Sequence, residues 1–297
     1  MIVRRQHFAF LIFPSVPANE KILTHDLISS EAPVQIRRIA HKNHYDFSKL
    51  HRHNYFEILF FRKGGGENLI DFQKYEVKDN ACHISYPGQT HLLHRHPGSA
   101  GLLIQFQLES ILSRSLERLL QERAWSGIGA VVFEENKEAM SGIVTLLEAM
   151  QTCSESRSVY WKECQKSLLQ ALLFKLCAFG TGNQQEPLDT DFYHFQQLVD
   201  QYFRTSQTVG FYLDKLPFGE KRLAALSKTH SGISPLQVIH RRILLEAKRL
   251  LLLGEKAHKE IAFDLGFDSP ASFSAFIKKK TGLTASEIQA QVAEIHK

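Results

Sequence analysis

Between about residues 36 and 108, apolar and polar positions alternate in short runs broken by turn residues. The runs cover 54–61, 68–77, 82–86 and 101–108; Gly64-Gly65-Gly66 and Pro87-Gly88 interrupt them. Successive strand side chains point to opposite faces, so several runs at this spacing predict an antiparallel β-barrel or sandwich. Farther upstream, an apolar stretch over 8–13 is cut by Pro14 and Pro17 and followed by no small-residue cleavage pattern. It reads as a first strand rather than a leader.

The period then lengthens. Leu112, Leu116, Leu119 and Leu120 fall at helical spacing, as do Ile143, Leu146, Leu147 and Met150, then Leu168, Leu169, Leu172, Leu173 and Leu176. A polar, glycine-containing stretch over 180–187 ends in proline and has the composition of a linker. The chain therefore divides into a β-barrel over 1–110, a helical connector over 111–185 and an all-α domain over 186–297. Its expected class is α+β with two domains.

Within the last part the pattern repeats. Leu223, Ala225, Leu226, Lys228 and Gly232, followed by Ser234-Pro235, return fifty positions later as Phe273, Ala275, Phe276, Lys278 and Gly282, followed by Thr284-Ala285. A constant offset through apolar, basic and turn positions marks one helical unit used twice. Helices are expected over 191–204, 211–216 and 220–230, the last stopped by Gly232. Ser234 and Pro235 suit the N-cap and first position of a long helix ending before Gly254. At 1.5 Å per residue that helix spans about 30 Å, close to the ~34 Å turn of B-DNA. In the second copy, Phe267 pins a glycine turn, Asp268 or Ser269 caps the next helix, and Phe273, Phe276 and Ile277 face inward. Two helix-turn-helix units braced by one long helix point to duplex DNA as the ligand.

Charge sharpens this picture. From residue 200 onward there are 15 Lys and Arg against 10 Asp and Glu, whereas the preceding residues hold 21 of each. The whole basic surplus lies on the repeated unit, as phosphate binding requires. No apolar run approaches a membrane span. The four cysteines are scattered without a CxxC pair, which suits buried thiols in a reducing cytoplasm. Gly64-Gly65-Gly66 lacks the lysine and helix of a phosphate loop, and there is no nucleophile-elbow pattern.

The segment Ile261-Ala262-x-x-Leu265-Gly266-Phe267-x-Ser269-x-x-x-Phe273-Ser274-x-Phe276-x-Lys278-Lys279-x-x-Gly282-x-Thr284 resembles the signature of AraC-type (arabinose-regulator) transcription factors. Glu246-Ala247-Lys248-Arg249-Leu250-Leu251 is similar to that family's central helix, and the resemblance covers about a hundred residues. It implies that Lys221, Ala224 and Ala225 of the first recognition helix, and Pro270, Ala271, Ser274 and Ala275 of the second, face the groove. Ser272 points outward with them. Arg222, Lys228, Lys278 and Lys279 would clamp phosphates. The family commonly carries arginine where this chain has Ala225 and Ala275, and proline where it has Ala285. Without those arginines, methyl and serine contacts should favour A·T-rich sites and shape reading.

In the N-terminal part, His51, His53 and Glu57 occupy odd positions of one expected strand, together with Tyr55, Leu59 and Phe61. His91 follows Pro87-Gly88 at an expected turn. The spacing His-x-His-x3-Glu-x6-Gly, then Pro-Gly-x-x-His, resembles the cupin pattern, whose metal-dependent members hold a divalent ion on three histidines and a glutamate. His51, His53, Tyr55, Glu57 and His91 are the candidate effector pocket. A small-ligand pocket without a cofactor is the preferred reading; a divalent metal and a structural hydrogen-bonded cluster are the alternatives. His83, His94 and His96 are expected at the surface or in loops.

The sequence thus predicts a cytoplasmic one-component transcription regulator, not an enzyme. Its partners would be double-stranded DNA, a small effector and, for an activator, RNA polymerase. A homodimer could form through Leu168, Leu172 and Phe174 of the connector. The alternative is a metal-dependent cupin dioxygenase or isomerase with a helical partner-binding appendage.

Overall fold

The computed structural model describes residues 24–25, 33–39, 50–107, 110, 113, 115–116, 119–120, 130–132, 137–156, 158–179 and 189–293. The expected strand over 8–13 and linker over 180–187 lie outside these residues. The chain divides into two compact units, Ile22–Leu188 and one containing Asp189–Lys297.

The first unit holds β1 (Thr24–His25), β2 (Val34–Ile39), β3 (His51–His53), β4 (Phe56–Lys63), β5 (Gly66–Ile70), β6 (Gln73–Glu76), β7 (Ala81–Ser85), β8 (Thr90–Arg95), β9 (Ala100–Phe106) and β10 (Ala130–Val132). They form two five-stranded sheets ordered β1-β3-β8-β5-β6 and β10-β7-β4-β9-β2. All pairings are antiparallel except β1 with β3. The expected run over 68–77 is two strands, since Asp71 takes a left-handed φ of 51° and turns the chain between β5 and β6.

Strand β4 is buried on both faces from Phe56 to Phe61, which explains its nearly unbroken apolar sequence. One face, with Phe56, Ile58 and Phe60, packs with Cys82, Ile84, Ile104 and Phe106 against the helices. Leu59 and Phe61 join Leu93 and Leu103 in the cluster between the sheets. Glu57 has the parity of this interior face. Gly64 leads from one sheet to the other, and a Cβ there would lie 2.2 Å from the Val77 carbonyl oxygen.

Helices α1 (Lys137–Ser156) and α2 (Trp161–Phe179) pack over the sheet through Ile143, Leu147, Met150, Leu169, Leu172, Leu173 and Leu176. Leu172 is fully buried in this core and so is not available to a second copy, while Leu168 lies partly buried against the same core. Phe174 is exposed. Cys82, Cys153 and Cys177 are buried free thiols, whereas Cys164 is exposed, contrary to expectation.

The second unit comprises α3 (Thr190–Tyr202), α4 (Val209–Leu213), α5 (Glu220–Ser231), α6 (Pro235–Leu253), α7 (His258–Asp264), α8 (Pro270–Thr281) and α9 (Ala285–Ala293). Their boundaries follow from capping chemistry. Ser234 and Gln237 form a reciprocal capping box at the start of α6, with Pro235 in the first turn. Ser269 caps α8 by accepting from the Ser272 amide at 3.1 Å. Thr284 and Glu287 bond reciprocally at the start of α9. Gly232, Gly254 and Gly282 end α5, α6 and α8 in the left-handed region that glycine adopts without strain.

Candidate nucleic-acid interface and barrel site

The two helix-turn-helix units are α4 with α5 and α7 with α8. From Lys221 to Thr229 and from Ala271 to Lys279 the burial pattern is identical position by position. Leu223 and Phe273 are fully buried, as are Ser227 and Ile277, while Leu226 and Phe276 are half-buried. The outward strip consists of Lys221, Arg222, Ala224, Ala225 and Lys228 on α5, and Ala271, Ser272, Ser274, Ala275, Lys278 and Lys279 on α8. Pro270 is exposed at the head of α8. All the groove and phosphate residues expected from sequence therefore share solvent-facing sides. Arg222 is already engaged: its guanidinium lies 2.5 Å from Asp191 of α3 and over the Phe218 ring.

The long helix α6 is not the only brace between the two units. Gly266 has φ +76°, and a Cβ on it would fall 2.2 Å from the Arg204 carbonyl oxygen. The chain leading from α3 towards α4 is thus seated on the turn of the second unit. Gln207 Nε2 donates to the Leu265 carbonyl beside it. Phe267 holds the other side of that turn, its ring 5.4 Å from Phe273 and 5.2 Å from Phe276.

Beneath this surface, Glu246 of α6 anchors three arginines. Its Oε1 accepts from Arg204 at 2.8 Å; Oε2 accepts from Arg242 at 3.2 Å and lies 3.7 Å from Arg249. Burial pushes the carboxyl pKa up, but the Arg242, Arg249 and Arg204 guanidiniums outweigh it and hold the group below its ordinary value.

In the first unit the histidines and glutamate do converge, by a route different from the expected one. They do not share a strand. The chain breaks at Asn54-Tyr55, leaving His51 and His53 on β3 of one sheet and Glu57 on β4 of the other. His91 lies on β8, directly opposite His51, rather than in a turn. The Gly88 amide, in the preceding turn, donates to the His53 carbonyl at 2.8 Å and ties β3 to the approach of β8.

His53 Nε2 lies 3.7 Å from Glu57 Oε2, and His91 Nε2 lies 3.6 Å from Glu57 Oε1; all three side chains are fully buried. One donor atom from each of His53, Glu57 and His91 falls within 4.8 Å of the others. His51 stays outside this group and packs edge-on against His91, the ring centroids 4.0 Å apart. Tyr55 stacks on His53 at 3.9 Å. Burial raises the Glu57 carboxyl to about 7, against the lowering influence of the Gln105 hydrogen bond.

Gln105 was not among the residues expected from sequence. Its Nε2 donates to Glu57 Oε2 at 2.9 Å and to Tyr55 Oη at 3.1 Å. The available signal was a lone polar residue in the apolar run Leu102-Leu103-Ile104-Gln105-Phe106. His83 corrects another expectation: it is buried, with Nδ1 3.1 Å from Asn68 Nδ2, because its parity on β7 turns it inward. His94 and His96 are exposed, as expected.

A family model described as an AraC-like ligand binding domain matches residues 32–172, and one described as a helix-turn-helix domain matches 212–291. The chain belongs to the AraC family. It is a DNA-binding transcription regulator with a ligand-binding domain. Among curated relatives, the HTH-type transcriptional activator RhaS of Escherichia fergusonii is 19% identical over 250 residues, covering 80% of this chain and 86% of that protein. RhaS of Yersinia pestis is 22% identical over 282 residues, covering 89% and 96%. Among solved structures, unsaturated fatty acid bound ToxT from Vibrio cholerae is 15% identical with a TM-score of 0.41, covering 87% of this chain and 94% of that one. No helix among the described residues is long and apolar enough to cross a membrane.

Proposed function

We propose that this AraC-family regulator places α5 and α8 in successive major grooves on one face of duplex DNA. The observation that carries the reading is the matched outward strip of the two helices, joined by a helix about 30 Å long, close to one ~34 Å turn of the duplex. Lys228, Lys278 and Lys279 supply phosphate contacts, with Arg222 once it leaves Asp191. Ala224, Ala225, Ala271 and Ala275 offer methyl contacts, and Ser274 a hydroxyl. No groove-facing position carries an arginine to read guanine bidentately, Ala225 and Ala275 standing where the family commonly has one, so A·T-rich sites and groove shape carry the specificity.

The barrel interior, with His51, His53, Tyr55, Glu57 and His91, is proposed as the site of a small effector that biases DNA binding, and not as a catalytic centre. Such a switch requires different effector affinities in the two functional states. The curated relatives are named activators, which supports contact with RNA polymerase. The regulator would act in the cytoplasm, where DNA and polymerase are met. A homodimer would use the exposed side of α2 around Phe174. Binding-site selection followed by footprinting tests the main reading: two protected major grooves about one turn apart with A·T-rich cores are expected. A guanine-rich consensus, or no salt-sensitive retention on any genomic promoter fragment, would overturn it.

A further inference from the structure

The geometry of the barrel interior deepens the effector reading, and rests on it, by specifying what that interior holds. The two distances from Glu57 to His53 and His91, 3.7 and 3.6 Å, are beyond hydrogen-bond length. The His53 distance is to Oε2 and the His91 distance to Oε1, and one donor atom of each residue lies within 4.8 Å of the others. Donors at about 2.0–2.2 Å from a shared ion stand roughly 3–3.5 Å from each other, so the three reach one cation by closing in by up to about 1.5 Å. Glu57 Oε1 is wholly buried and has no hydrogen-bond partner among the described residues.

The surroundings orient the donors as outer-sphere groups do around a metal. The His53 ring is fixed by contact of its Nδ1 with the Tyr55 carbonyl at 2.7 Å, which turns Nε2 inward. Gln105 occupies Glu57 Oε2 and leaves Oε1 directed at His91. His51 buttresses the His91 ring. Such supporting contacts set the tautomer and direction of a ligating side chain.

We propose that this barrel binds one divalent transition-metal ion on His53 Nε2, His91 Nε2 and Glu57 Oε1, with His51 as a buttress rather than a fourth ligand. Two imidazoles and a carboxylate suit zinc, iron(II), manganese(II) or cobalt(II). Thiolate-seeking ions are disfavoured because Cys82 belongs to the cluster on the opposite face of its sheet. Three protein ligands leave coordination positions for water or for an oxygen-donor effector such as a carboxylate or hydroxy acid.

The test uses the full-length, untagged chain, stripped with chelator and titrated with cobalt(II) while its visible ligand-field absorption and Tm are followed. One equivalent per chain is expected, with Tm rising as cobalt increases. His91→Ala and Glu57→Gln should lose uptake, and Gln105→Leu should weaken it about 10–100-fold. His94→Ala, on the exposed side of β8, should bind as the parent does. If the ligand variants do not fold, the parent's cobalt spectrum decides: nitrogen and oxygen ligand-field bands at one equivalent support the site. No saturable uptake by the folded parent, or undiminished uptake after His53→Ala with His91→Ala, overturns it. Promoter retention measured on the same stripped sample separates the two readings. Retained DNA without metal uptake sinks the metal site alone, whereas metal uptake without any DNA retention sinks the regulator reading.

Discussion

At the scale of single residues, the sharpest constraint is Gly266. Glycines 232 and 282 share its left-handed backbone, but a Cβ on either meets nothing within 4 Å, whereas on Gly266 it meets the Arg204 carbonyl oxygen. Alanine at 232 or 282 should therefore cost only the backbone term, about 1–2 kcal/mol. Gly266→Ala adds an overpacking cost of about 1–3 kcal/mol and should give the largest loss of the three in urea unfolding. Equal losses at all three positions would show that the loop after Arg204 yields freely.

Two buried barrel groups tilt the pH dependence of stability in opposite directions. Burial lowers His83 to about 4, against the raising influence of a hydrogen bond to the Glu76 backbone. The folded state then binds fewer protons than the unfolded chain between about 4 and the ordinary 6.5, so His83 contributes stability that disappears as pH falls through that window. Glu57, raised from 4.5 to about 7, does the reverse and loses its contribution as pH rises through its window. A His83→Asn variant should therefore lose stability less steeply on acidification than the parent. Parallel Tm profiles between pH 4 and 6.5 would contradict this.

At the scale of elements, α6 depends on an ionic anchor as much as on its apolar stripe. Glu246 and Arg249 are only 5% and 6% exposed, so removing the carboxylate takes this counter-charge from a buried guanidinium. Glu246→Ala should destabilise the second unit by about 3–5 kcal/mol. A replacement that leaves urea unfolding unchanged would mean that Arg249 swings out to solvent. The recognition helices make a different prediction. Lys228 and Lys278 occupy equivalent outward positions, so each change to alanine should lower the slope of log affinity against log salt by about one, with little change in the selected sequence.

At the scale of the whole molecule, each unit has its own buried core. The fragment 189–297 should therefore fold alone and retain DNA binding while losing any effector response. Gel retardation with and without candidate effectors checks this; a fragment that cannot bind would place part of the DNA grip in the first unit. The repeated C-terminal unit was readable in sequence because its determinants are local: serine and threonine caps, glycine stops and an apolar period repeated after fifty residues. The barrel was harder to read. Strand β4 is buried on both faces, so the alternation that reveals a strand's inner side is erased there, and β8 was hidden behind a Pro-Gly turn.

Sequence alone determined where the helices of the DNA-binding unit begin and end and which residues turn outward, because capping and helical period act within a few residues. It also marked His53, Glu57 and His91 as candidates. Only the tertiary structure decided that these three meet across two facing sheets, that Gln105 orients the glutamate, and that the Arg204 backbone locks the second turn. His53 and Glu57 are four positions apart but lie on different sheets; the other relations, Glu57 with His91 and Gln105 and Gly266 with Arg204, join residues from 34 to 62 positions apart, and such partners are chosen by sheet pairing and close packing rather than by any local preference.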